Sequence, residues 1–340
     1  MMRSKPFLMT LAALLLSVTP AAAGEPILDM HLHALAADEQ GPPPLAMCTP
    51  INPMPVWDQR QPWMAGLMDM FKHPACADPV WSPTTDDEIR DKTLAIMRKH
   101  NVIGVVSGDN KRVLAWRALE PDRVLPSLIP SPTQMADADK MLAAFSKSKA
   151  AGQLTAIGEI GGQYEGIGPD DPRLENIWAT AEALDVPVSL HVGPGPPGVA
   201  YLPGTGYRAR MSSPLLLEDV LVKHPKLRIN VMHAGFPMLD DTLALLYAHP
   251  QVYVDVGVIV YTQPRPAFYR YLQALVDAGF GNRVMFGSDQ MVWPETLERS
   301  ITVIEEAPFL SAQQKRDIFY NNAARFLRLD AATIAKHKAM

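Results

Sequence analysis

The sequence predicts an α/β fold, a (β/α)8 TIM barrel with a long insertion after its first strand. Eight short apolar runs of β-like character alternate with helix-like segments along one domain-sized chain. Four of those runs end in side chains able to bind a metal: His31 and His33 on the first, His191 on the fifth, His233 on the sixth and Asp289 on the eighth. The C-terminal ends of the strands form the rim where barrel active sites are built, so one topology accounts for both the count and the placement. An open doubly wound sheet would more often carry a Gly-rich phosphate turn after its first strand, and none follows Ile27 to His33.

The 340 residues are 48% apolar and 20% charged, with a formal net charge of −5, which suffices for a large core. There is no basic excess for nucleic acid, and a small-molecule substrate is the expected partner. Arg3 and Lys5, the apolar run Phe7 to Val18 and the small residues Ala21 to Ala23 read as a secretory signal cleaved after Ala23. The apolar run is short for a bilayer span, so the expected product is a periplasmic or secreted chain without membrane attachment, a single domain over 24–340. A homodimer is the candidate assembly. In an oxidising compartment Cys48 and Cys76 either form one disulfide or stay as thiols.

The first strand, Ile27 to His33, places two histidines at i and i+2, which on a strand leave the same face. Residues 34–85 form a Pro-, Met- and Trp-rich insertion with little periodicity, a lid or satellite core holding Trp57, Trp63 and Trp81. Thr85-Asp86-Asp87-Glu88 begins a helix whose acidic first turn suits the macrodipole, and the pattern runs to Lys99. Strand two, Val102 to Ser107, precedes a helix over Lys111 to Leu119, and strand three, Val124 to Ile129, one over Pro132 to Ala150. Strand four, Leu154 to Ile160, is followed by Arg173 to Leu184, and strand five, Val186 to Val192, by a Gly/Pro loop and Pro214 to Lys223. Strands six (Leu227 to Met232), seven (Val252 to Val256) and eight (Arg283 to Phe286) lead into helices Leu239 to Ala248, Ala267 to Ala278 and Glu295 to Glu306. An additional helix within 311–328 is expected to cap the outside.

Imidazole nitrogen and carboxylate oxygen suit a borderline divalent ion such as zinc, and three or four protein ligands leave the open position that catalysis requires. His31, His33, His191 and Asp289 are the expected ligands. His233 is expected to transfer protons beside the ion, with ligation of a second ion as the alternative; Asp289 can also accept the proton of the attacking water. Glu159, in Gly158-Glu159-Ile160-Gly161-Gly162, either bridges to a second ion, supports a ligand histidine or pairs with a rim cation. Arg208 and Arg210 are the candidate cations for a substrate carboxylate, and Tyr201, Tyr261, Gln290 and Trp293 are candidate substrate contacts.

The His-x-His of strand one, the lone His191, the His233-Ala234-Gly235-Phe236-Pro237 turn and Gly287-Ser288-Asp289 together resemble the amidohydrolase superfamily. His224-Pro225-Lys226-Leu227 and Tyr320-Asn321-Asn322-Ala323-Ala324-Arg325-Phe326 are similar to its amidohydrolase-related branch, which includes aminocarboxymuconate-semialdehyde decarboxylase and several hydrolases and lactonases. The resemblance implies a distorted barrel with one divalent metal, usually Zn2+ and otherwise Mn2+ or a similar ion, held by His31, His33, His191 and Asp289. It also implies acid/base work for His233. Glu159 stands near the place where some members carry a carbamylated lysine.

The expected activity is metal-dependent hydrolysis of an amide, ester or lactone. Nonoxidative decarboxylation of an aromatic or enoic acid is the alternative, and a non-catalytic metal- or ligand-binding protein the third reading.

Overall fold

The computed structural model describes residues 24–340; the expected signal segment, 1–23, lies outside them. Eight strands form β1 (Ile27–Ala34), β2 (Val102–Gly108), β3 (Val124–Leu128), β4 (Ala156–Ile160), β5 (Val188–His191), β6 (Ile229–Met232), β7 (Val252–Asp255) and β8 (Val284–Met285). They pair in parallel in chain order, as a barrel of consecutive strand–helix units requires. The ring is drawn together where Met30 N–H donates to Phe286 O at 2.9 Å and Asp289 N–H donates to His31 O at 2.7 Å.

All eight residues of β1 are buried, and its two faces do different things. Asp29, His31 and His33 alternate with Leu28, Met30 and Leu32, so the polar set converges on one side. Leu28 and Met30 pack in one apolar cluster with Tyr320 and Phe326 from the C-terminal segment. That segment, expected as one helix, consists of the successive pieces Ala312–Arg316, Asp317–Asn321 and Asn322–Phe326, the middle one a wide π turn. Ile318 O accepts the Phe286 N–H at 2.8 Å, which ties it to the end of β8. A last helix, Ala331–Lys338, capped by Asp330, was not foreseen from the pattern.

Two further departures have local causes. The helix expected over Pro132 to Ala150 is two, Pro132–Met135 and Ala138–Ala150, because the Asp137 side chain accepts from Lys140 N–H and caps a new start. The insertion contains a helix, Trp63–Lys72, whose buried residues Trp63, Leu67 and Phe71 recur every fourth position. An antiparallel pair, Ala46–Met47 with Val80–Trp81, closes the insertion at its base. A disulfide joins Cys48 to Cys76, with the Cα atoms 5.8 Å apart. Among the described residues no helix is long and apolar enough to cross a membrane.

Candidate active site

Six side chains meet at the C-terminal ends of the strands. His31 and His33 come from β1, Glu159 from β4, His191 from β5, and His233 and Asp289 from the turns after β6 and β8. Glu159 Oε2 lies 3.3 Å from His31 Nε2 and 3.2 Å from His33 Nε2. Asp289 Oδ1 is 3.0 Å from His33 Nε2 and 3.7 Å from His31 Nε2. On the other side, Glu159 Oε1 is 3.9 Å from His233 Nε2.

Three overlapping trios have candidate ligand atoms within 4.8 Å of one another: His31, His33 and Glu159; His31, His233 and Asp289; and Glu159, His191 and His233. The expected quartet of His31, His33, His191 and Asp289 is not one such group. Glu159 and His233 stand among the donors, and His191 groups with those two.

Local backbone and neighbours hold this geometry. His233, Val258 and Asp289 adopt φ of 58°, 54° and 52°. For non-glycine residues this left-handed region costs roughly 1–3 kcal/mol each, which the surrounding structure must offset. Gly257 and Gly287 let the chain pass close to His31: a Cβ on the first would sit 2.4 Å from His31 Nδ1, and on the second 2.9 Å from His31 Cβ. The Gln290 amide clamps the His33 backbone, accepting from its N–H at 3.0 Å and donating to its O at 2.6 Å. Tyr261 O–H donates to Asp289 O at 2.8 Å, so this residue braces the loop after β8 and does not line the cavity.

Several residues of the site escaped the sequence reading. Asp255, fully buried at the end of β7, accepts from His31 Nδ1–H at 3.2 Å, from Asn230 Nδ2–H at 2.7 Å and from Gly257 N–H at 2.8 Å. Its position was a usable signal, since it ends an apolar strand as the other site residues do. Gln163 Oε1 accepts from His191 Nδ1–H at 2.9 Å, and Tyr164 O–H donates to His191 Nε2 at 3.0 Å.

Charge is concentrated here. Burial opposes ionisation of His31, but the Asp289, Asp255 and Glu159 carboxylates raise its pKa well above the ordinary value. Burial likewise works against His33, yet hydrogen bonds to Asp289 and Glu159 bring it up to about 9. Burial and the neighbouring His233 push His191 down to about 3. Burial pushes Asp29, beneath His31, up to about 7.

The residues fit a divalent ion. The donors are imidazole nitrogens and carboxylate oxygens, and His233 Nε2 is a buried atom with no hydrogen-bond partner, while its Nδ1–H donates to Gly257 O at 2.8 Å.

Above the cluster a cavity of about 780 Å³ is lined by His33, Tyr164, His191, His233 and Asp289 at the polar end and by mostly apolar residues elsewhere, with Gln40, Ser107, Thr205, Thr262 and Gln263 among them. Glu159 and Glu165 also face it. Among the described residues no lysine or arginine lines this cavity. Arg208 and Arg210 are exposed on the loop after β5 and lie outside it, as does Tyr201. Trp293 is buried in the wall, its indole N–H donating to Leu45 O at 2.9 Å.

The sequence matches a family model described as amidohydrolase over residues 28–329. The chain belongs to the amidohydrolase family. A curated relative, protein fluG of Emericella nidulans, is 23% identical over 140 residues, a match taking in 37% of this chain and 15% of that protein. Among solved structures, a probable 2-pyrone-4,6-dicarboxylic acid hydrolase from Acinetobacter baumannii superposes with a TM-score of 0.57 at 14% identity, covering 89% of this chain and 99% of that one. A 4-oxalomesaconate hydratase from Rhodopseudomonas palustris gives 0.54 at 19% identity, over 92% and 99%. A dihydroxybenzoic acid decarboxylase from Polaromonas sp. JS666, with bound manganese, gives 0.55 at 14%, over 91% and 98%. At these identities the likeness is one of fold. The protein is therefore an enzyme of this family on a TIM barrel, with His, Asp and Glu groups able to hold a divalent metal.

Proposed function

We propose that this enzyme is a metal-dependent hydrolase acting on an uncharged carbonyl compound, an ester, lactone or amide. The observation that carries this reading is the cavity's lack of lysine and arginine beside three carboxylates, Glu159, Glu165 and Asp289. Beyond the ion itself, the cavity offers a substrate carboxylate no lysine or arginine, and Arg208 and Arg210 lie outside it.

His31, His33, Glu159 and Asp289, with His191 on the far side of Glu159, would hold the ion, and His233 would stand beside it. When bound there, a divalent ion such as zinc lowers the pKa of water towards ~7 and polarises a carbonyl. Asp289 is placed to accept a proton from the attacking water. His233, with Nδ1–H committed to Gly257 O, offers Nε2 to the cavity to carry that proton to the leaving group. Tyr164, whose pKa burial raises well above the ordinary value, keeps its O–H, and with His191 Nε2 turned to the ion that hydrogen would be free to donate to the oxygen that gains charge. The Cys48–Cys76 disulfide supports export to a periplasm or beyond, where such bonds persist.

The test combines metal analysis with a screen of esters, lactones, amides and aromatic acids in which products are identified. Acid plus alcohol or amine is expected; release of carbon dioxide from an acid would overturn the hydrolase assignment.

A further inference from the structure

The insertion contributes Leu35, Gln40, Met47, Ile51, Met54 and Phe71 to the cavity wall, with Gln40 the one polar member. Adjoining it, the Pro-rich loop after β5 adds further apolar surface, including Pro196 and Leu202. Phe71 packs on Trp293 with ring centroids 5.6 Å apart, which joins the insertion to the loop that carries Asp289.

This wall is anchored. Ile51 N–H donates to Thr262 O at 2.9 Å, and Trp63 indole N–H donates to Pro197 O at 2.9 Å. The Cys48–Cys76 disulfide closes the loop that carries Ile51, Met54 and Phe71. The wall also reaches solvent, since Met54 is 43% exposed. A preformed apolar wall running from the catalytic cluster to the surface is what an uncharged substrate body would occupy.

Building on the hydrolase reading, we propose that the insertion and the loop after β5 form a subsite for the apolar part of the substrate. The substrate class is then an ester, lactone or amide bearing an aliphatic chain or plain ring, with its carbonyl at the histidine–carboxylate cluster. Burial of each further methylene contributes about a fourfold gain in affinity.

The experiment uses the zinc-loaded chain without residues 1–23 and an uncharged fluorescent probe, N-phenylnaphthylamine, displaced by n-alcohols from butanol to decanol. One probe per chain is expected, with displacement strengthening about fourfold per methylene until the wall is filled. Met54→Asp, at a partly exposed position, should weaken probe binding at least about tenfold, and Ile51→Trp should do the same by filling the space, both with native circular dichroism. Displacement without chain-length dependence, or unchanged probe binding in both folded variants, would overturn the subsite. Hydrolysis of acetyl and decanoyl esters at equal kcat/KM would also overturn it and leave the hydrolase reading standing. Chain-length-dependent probe displacement in a chain that hydrolyses no carbonyl compound would uphold the subsite and sink that reading.

Discussion

Asp255 Oδ1 lies 3.2 Å from His31 Nδ1, and the carboxylate is buried completely. The contact leaves His31 Nε2 facing Glu159 and Asp289, so a residue that touches no ion sets which nitrogen is available to one.

Asp255→Ala should therefore lower divalent-metal affinity by about 10- to 100-fold. Zinc titration against a competing chelator measures it; unchanged affinity would deny Asp255 its orienting role.

Glu159→Gln keeps the shape of the side chain and removes the charge that lies between His31 and His33. Metal content after dialysis should fall well below the wild-type value. Wild-type content would exclude Glu159 from the donor set.

Metal uptake should release protons. In the metal-free cluster His33 has its pKa raised to about 9, so below that pH an ion must displace a proton from it. Apparent affinity should climb about tenfold per pH unit for each proton displaced, with His31 adding a second to that of His33, and less steeply once His33 has lost its proton above pH 9. Calorimetry in buffers of different ionisation enthalpy counts the protons, and a pH-independent affinity would contradict the charge state argued for His33.

Tyr164→Phe removes a hydroxyl 3.0 Å from His191 Nε2 and retains the ring that packs on His191 at 4.5 Å. With an ester or lactone identified by the screen, kcat should drop by about a hundredfold with KM little changed. A change confined to KM would make Tyr164 a binding residue only.

Replacing Cys48 and Cys76 together by Ser removes a cross-link between positions 28 apart. Stability should fall by about 3.5 kcal/mol on chain-entropy grounds, read as a lowered Tm. No shift in Tm would mean that the bond is not formed in the native protein.

Much of the barrel was legible because parallel strands buried on both sides read as unbroken apolar runs. The positions of His31, His33, His191, His233 and Asp289 at strand ends followed from the same reading. Asp255 is missed because the expected strand, Val252 to Val256, makes it an interior position, whereas the strand ends at Asp255 itself. Gln163 and Tyr164 sit on a short 3-10 turn after β4, where spacing says nothing about direction. The helix Trp63–Lys72 was hidden by Pro62, which supplies no capping side chain. Arg208 and Arg210 show the opposite failure: a loop in the right place in the chain carried its charges away from the cavity.

The contacts that draw the ring together also run through the metal cluster. Asp289 N–H reaches His31 O, and Ser288 N–H reaches an Asp29 side chain 259 positions away. Such pairings close loops of most of the chain's length, which places them among the last contacts to form. Completing the ion site thus waits on the last strand: a chain cut before β8 keeps His31, His33, Glu159, His191, His233 and Asp255 but lacks Asp289, whose carboxylate and backbone N–H both reach the β1 histidines.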